Sequence, residues 1–255
     1  MWGDAEIKAA LQECVREMAS IVAQVDTLAP IRQGQCGTPA PISLRSIGAS
    51  KVELQPAAVT TCRMAKALHD WVENTLQPAA KEMLASPVKR LIGTTSYACR
   101  NRNNEVAGPI SEHAFANAID IAGFVLADGR TVTVLDGWGP SAREQSAASP
   151  PQATPAPSAD KAAAKSAARK GKPGTAKLKT AELQRLGGPA GSAPVAASAP
   201  PAESSPNTQE AAFLRRLHKG ACGVFGTVLG PEANAFHRNH FHLDLKARKS
   251  RAICQ

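Results

Sequence analysis

Two short stretches of this 255-residue chain concentrate side chains able to hold a metal ion or move protons. One runs Ser111-Glu112-His113-Ala114-Phe115-Ala116-Asn117-Ala118-Ile119-Asp120-Ile121; the other runs His237-Arg238-Asn239-His240-Phe241-His242-Leu243-Asp244-Leu245. Four of the six histidines fall in these two places. Read as a strand, the second stretch puts His240, His242 and Asp244 on one face and Phe241, Leu243 and Leu245 on the other. In the first, Asp120 opens a strand, with Ile119 and Ile121 pointing the opposite way. His113 precedes it by seven residues, across a loop of small residues that can bring it back beside the carboxylate. Two histidines and one carboxylate form a recurrent catalytic zinc set that leaves a fourth position for water. A third histidine, left uncoordinated, can accept a proton or stabilise charge. Each stretch alone is weak evidence, because H-x-H pairs also occur in ordinary strands; on separate segments of one domain they reinforce each other. No G-x-S-x-G or comparable setting surrounds Ser111, which argues against a serine nucleophile.

The elements that must position these residues follow from periodicity. Apolar residues Ile7, Leu11, Val15, Met18 and Val22 recur at spacings of three and four, predicting a helix over 4–25 capped by Asp4. A second helix is predicted over 58–84, with Pro78 kinking or interrupting it. Residues 88–95 read as a strand delivering the polar run Ser96-Tyr97-Ala98-Cys99-Arg100-Asn101-Arg102-Asn103-Asn104. Residues 118–127 and 131–135 read as a hairpin turning at Asp128-Gly129. A short helix over 211–218 and a strand over 236–245 complete the pattern. Helices first and strands later predict an α+β fold, with N-terminal helices packed on a small, mostly antiparallel sheet.

Composition divides the chain. Residues 140–208 are mostly Ala, Pro, Ser, Gly and Lys, and read as a disordered insertion between two parts of one domain, 36–139 and 209–255, preceded by a helix and loop over 1–35. Without the insertion about 185 residues remain, a comfortable size for one domain. The chain holds 30 Lys+Arg against 21 Asp+Glu, a net charge of +9. Residues 161–179 carry seven Lys or Arg and no acid, so loose contact with polyanions is expected there. With few aromatics to stack bases, specific nucleic-acid binding is not. No run approaches the roughly 18 apolar residues that span a bilayer, and Met1-Trp2-Gly3-Asp4 opens into a helical pattern without a basic-then-apolar leader. Six cysteines, Cys14, Cys36, Cys62, Cys99, Cys222 and Cys254, stand singly with no CxxC pair. That usage favours disulfides and an oxidising compartment; six cysteines allow 15 pairings.

The pattern Ser111-x-His113-x(6)-Asp120, with Ala118 two before the aspartate, resembles the SxHxxGxAxD signature of LAS metallopeptidases. That group takes in D-Ala-D-Ala carboxypeptidases, murein endopeptidases and the hedgehog signalling domain. His240-x-His242 resembles its second signature, and His237 three residues earlier is similar to the penicillin-insensitive murein endopeptidase. More closely, SYACRNRNN, SEHAFANAIDIAGF and ACGVFGTVLGPEANAFHRNHFHLDL resemble the bacterial extensin-like C-terminal domain family over 36–138 and 211–254. The resemblance implies zinc held by His113, Asp120 and His242, with His240 as base and Arg100, or its rival Arg102, stabilising an oxyanion. Ser111, His237 and Asp244 then support the ligands. It further implies a periplasmic or otherwise extracytoplasmic peptidase acting on peptidoglycan, or else a non-catalytic wall-binding module of the same fold. Two positions depart from the group's pattern. Ala116 stands where glycine is usual, and Asn239 stands where the carboxypeptidase branch carries a glutamate base.

Overall fold

The computed structural model describes residues 2–148, 208–248 and 251–255. Most of the expected disordered insertion, with the basic 161–179 stretch, lies outside the described residues. Helix α1 spans Asp4–Met18 and ends well short of residue 25. From Ile21 onward burial alternates residue by residue, so the chain turns into strand β1, Ala23–Thr27, and pairs with β4. Tertiary pairing overrides the helical spacing here. Strands β2 (Ile31–Gln33) and β3 (Cys36–Thr38) form a small hairpin. At Gly37, φ is +127° and a Cβ would lie 1.8 Å from the Ile31 carbonyl oxygen, so only glycine permits this pairing.

Strands β4 (Ile42–Ile47) and β5 (Val52–Thr60) precede α2 (Cys62–Trp71) and α3 (Gln77–Leu84). The expected helix over 58–84 thus starts late, its first residues being taken by β5. It also runs on through Pro78, because a π-type turn over Val72–Leu76 widens the backbone just ahead of it. Thr61 caps α2, its hydroxyl accepting from the Met64 amide at 3.2 Å. Strand β6 spans Val88–Ile92, β7 Ala118–Ile121, β8 Gly123–Leu126 and β9 Thr131–Thr133. The predicted hairpin at Asp128-Gly129 joins β8 to β9, with Gly129 at φ +92°. Its first arm divides, since β7 and β8 enter different sheets. Helices α4 (Val134–Gly137), α5 (Ala142–Ala148) and α6 (Thr208–Ala221) follow. Regular structure therefore continues past residue 139, where the insertion was expected to begin. Strands β10 (Thr227–Leu229), β11 (Phe241–Asp244) and β12 (Ile253–Cys254) close the fold.

The strands form a six-stranded sheet of order β1-β4-β5-β6-β8-β9 and a four-stranded sheet of order β12-β10-β11-β7, beside the β2-β3 pair. All neighbours are antiparallel except β5/β6 and β10/β12. The class is α+β, with more sheet than the sequence suggested. One buried core joins the parts: Phe124 on β8 meets Trp71 of α2 at 6.5 Å, Phe213 of α6 at 5.8 Å and Phe241 of β11 at 6.4 Å between ring centroids. Each such aromatic, fully buried, contributes on the order of 2–3 kcal/mol.

Disulfides join Cys14 to Cys62, Cys36 to Cys99 and Cys222 to Cys254. They tie α1 to α2, the segment before Arg100 to β3, and the end of α6 to β12. Three cystines suit an oxidising compartment outside the cytoplasm. No helix among the described residues is long and apolar enough to cross a membrane.

Candidate metal centre

Strand β11 lies antiparallel to β7 with His242 directly opposite Asp120. Alternation along the same strands turns Phe241 and Leu243 into the core. On its other side Asp120 bridges Thr95 through paired backbone hydrogen bonds of 2.8 and 3.2 Å. His113 sits on a short 3-10 turn, Glu112–Phe115, that ends at Ala116 in the left-handed region, φ +52°. Glycine would take this conformation freely. Alanine bears a cost of about 1–2 kcal/mol, which its fully buried methyl partly offsets.

The turn returns His113 to Asp120 and His242. His113 Nε2 lies 3.2 Å from Asp120 Oδ1 and 3.1 Å from His242 Nδ1, and His242 Nδ1 lies 2.9 Å from Asp120 Oδ1. All three side chains are buried, and together they could hold a metal ion. The other ring nitrogens are committed as donors. His113 Nδ1–H donates to the Ser96 carbonyl at 2.6 Å, and His242 Nε2–H donates to Asp244 Oδ2 at 3.1 Å. With both imidazoles neutral, each turns a lone pair toward the other and toward the carboxylate, so three acceptors meet with no donor among them. A cation resolves this, and tetrahedral ligands at about 2.0–2.1 Å from zinc stand roughly 3.3 Å apart, close to the observed edges. The alternative is an added proton. Burial disfavours charge on His242, yet hydrogen bonds to Asp120 and Asp244 push it up to about 9. Burial likewise opposes ionisation of Asp120, but His113 and His242 hold it well below the usual carboxylate range.

Supporting groups surround the cluster. Asp244 also accepts from the Lys246 amide at 2.9 Å, and Asp120 Oδ2 accepts from the Thr95 hydroxyl at 2.7 Å. Ser111 caps the His113 turn, its hydroxyl accepting from the His113 amide at 3.4 Å. Its hydroxyl thus holds the turn, while the Ser96 carbonyl orients the ring. His240 precedes β11 instead of lying within it. Its Nδ1–H donates to Asn239 Oδ1 at 2.8 Å, leaving Nε2 as an acceptor 3.7 Å from Asp120 Oδ1. His237 Nδ1–H donates to Asn234 Oδ1 at 2.8 Å, and its ring centroid lies 5.7 Å from that of His242. Burial lowers the pKa of both, His237 to about 4, so both stay neutral near pH 7. These residues border a cleft of about 420 Å³, with Arg100 and Arg102 on its wall. Neither arginine pairs with an acidic side chain among the described residues, and Arg100 repels positive charge on His237 and His240.

All eight site residues read from the sequence therefore gather at one cleft. Sequence reasoning missed the supporting roles of Ser96, Thr95, Asn234 and Asn239. Ser96 acts through its main chain, which carries no residue-type signal, whereas Asn234 and Asn239 stand within a few residues of the histidines they fix.

The extensin-like protein C-terminus family matches residues 12–153 and 201–255. The chain belongs to this family. The matched segments hold every residue of the cluster and all six strands of the larger sheet in full. Neither curated proteins nor solved structures offer a match.

Proposed function

We propose that this extensin-like domain is a zinc-dependent peptidase that hydrolyses peptide bonds of peptidoglycan outside the cytoplasm. The observation that carries the reading is the convergence of three lone-pair donors, His113 Nε2, Asp120 Oδ1 and His242 Nδ1, whose rings are locked from behind by Ser96 and Asp244. The likeness of the two histidine motifs to LAS metallopeptidases supports the same choice of metal and substrate. Bound zinc supplies Lewis acidity toward a peptide carbonyl and activates water at neutral pH. The protein provides the remainder. His240, neutral through burial and with Nε2 free, accepts a proton at that atom and returns it to the departing amine. Arg100 offers an uncompensated positive charge on the cleft wall to the oxygen on which negative charge develops, and Arg102 is the other candidate for this role. Thr95 and Asp244 keep the ligand side chains in register.

Zinc analysis and a sacculus digest test this. Wild type is expected to carry about one zinc per chain and to release muropeptides. His242→Ala is expected to lose the metal, and His240→Ala to keep it while losing cleavage. Equal cleavage by wild type and His240→Ala removes that residue from the mechanism. A second reading, a wall-binding module without turnover, draws support from His242: with a proton in the metal's place the cluster is still satisfied. Sacculi bound but never cut by zinc-loaded protein select it.

A further inference from the structure

Residues 234–240 present His237 and His240 to the cluster, yet they form no strand. Their internal bonds are short-range: His237 N–H to the Asn234 carbonyl at 3.2 Å, Phe236 N–H to Asn234 Oδ1 at 2.9 Å, and the two histidine–asparagine contacts. Among the described residues, every hydrogen bond from this loop to another element runs through one side chain, Arg238. Its Nε–H donates to Glu144 Oε1 at 2.8 Å, one terminal nitrogen to the Leu135 carbonyl at 3.0 Å, and the other to the Gly139 carbonyl at 3.3 Å. Glu144 is itself fixed, accepting from the Ser141 amide at 2.7 Å and hydroxyl at 2.8 Å. Next door, Glu232 accepts from Trp138 Nε1 and from the Ala142 amide, both at 2.9 Å. The stem of the insertion, α4 through α5, is thereby laced to the histidine loop.

We propose that Arg238 is a positioning residue: fastened to Glu144, Leu135 and Gly139, it holds the loop so that His237 and His240 face the His113–Asp120–His242 cluster. The proposal rests on the peptidase reading for its effect on turnover, but its structural content is independent of it. Lysine cannot replace the arginine, because one ammonium cannot span three acceptors set in a fork. Removing Glu144 is milder than removing Arg238, since two carbonyl contacts survive. The three ligands stand on β7, β11 and the 112–115 turn, so metal capture does not depend on this clasp.

The test uses the full chain as wild type, Arg238→Ala, Arg238→Lys and Glu144→Gln. In Arg238→Ala, amide hydrogen exchange over 234–240 is expected to rise at least about tenfold while β7 and β11 stay protected. Metal content is expected to stay at wild-type level. On sacculi or a muropeptide, kcat is expected to fall roughly 10²-fold with KM little changed, the signature of a misplaced group. Arg238→Lys and Glu144→Gln are expected to lie between, and they carry the test if Arg238→Ala does not fold. Unchanged loop exchange overturns the proposal, as does raised exchange with wild-type turnover. If wild type itself cuts nothing, the peptidase reading falls and cobalt-loaded protein decides the clasp. The paramagnetically shifted ring protons of His237 and His240 must then move in Arg238→Ala while those of His113 and His242 do not; if none moves, the clasp is refuted.

Discussion

Replacing Asp244 tests the proposed metal centre without touching a proposed ligand. Asp244 is buried, and its carboxylate serves two donors at once, His242 Nε2–H at 3.1 Å and the Lys246 amide at 2.9 Å. Asparagine keeps the size but has a single acceptor oxygen. Either the imidazole or the amide then faces an NH2 group, and the negative charge behind His242 is gone. Loss of such an outer partner weakens metal binding about 10–100-fold, or roughly 1.4–2.7 kcal/mol. Asp244→Ala leaves the buried His242 donor without an acceptor, so it belongs at the upper end and also destabilises the metal-free fold by about 1–3 kcal/mol. Zinc affinity is read by titration against a chelator of known strength, with cobalt absorption reporting ligand geometry and thermal unfolding reporting the fold. Affinities of both variants within twofold of wild type, in folded protein, would refute the claim that Asp244 holds His242 in a metal-binding orientation.

Two further outcomes follow from the packing. Burial holds His218 below its ordinary value, against the Nε2–H hydrogen bond to the Gln255 carbonyl at 3.0 Å and the charge of Glu232, which both draw it the other way. The unfolded chain protonates this group near about 6.5 and the folded chain only at lower pH. Stability is therefore expected to fall as pH drops below about 6.5, and His218→Gln should reduce that loss; identical melting-temperature profiles from pH 7.5 to 5.5 would remove His218 as a cause. Cys36 and Cys99 close a loop of 63 residues, which the chain-entropy model values at about 4 kcal/mol. The double Cys→Ser variant is expected to melt roughly 10 °C lower, and an unchanged melting temperature would show that other contacts already restrain the Arg100 segment.

That His242 and Asp244 share the cleft face was legible in the sequence because strand alternation is a strong local rule once Phe241 and Leu243 face the core, whereas the choice of His113, Asp120 and His242 as the set came from the family resemblance. His240 was expected on the same strand, but the chain is still leaving a 3-10 turn at that point, and its ring reaches the cluster by loop geometry. Helix α1 was overextended because Val22 and Val25 continue the three-and-four spacing while Ile21, Ala23 and Val25 alternate as a strand over the same short window. Only the partner strand β4 decides between them. The wide turn before Pro78 and the split between β7 and β8 have no composition signal; both are settled by what packs against them. The clasp at Arg238 is equally silent, since its acceptors are main-chain carbonyls and a glutamate 94 residues away.

His242 and Asp120 face one another across a single pair of hydrogen-bonded strands, so their spacing is a property of the ladder, and neither can drift without unzipping it. Of the three ligands only His113 stands on a turn, and the Ser96 carbonyl already steers its ring. A metal ion bound there would meet a cradle that needs little rearrangement, and the free energy of its capture would go into holding the ion instead of shaping the pocket around it.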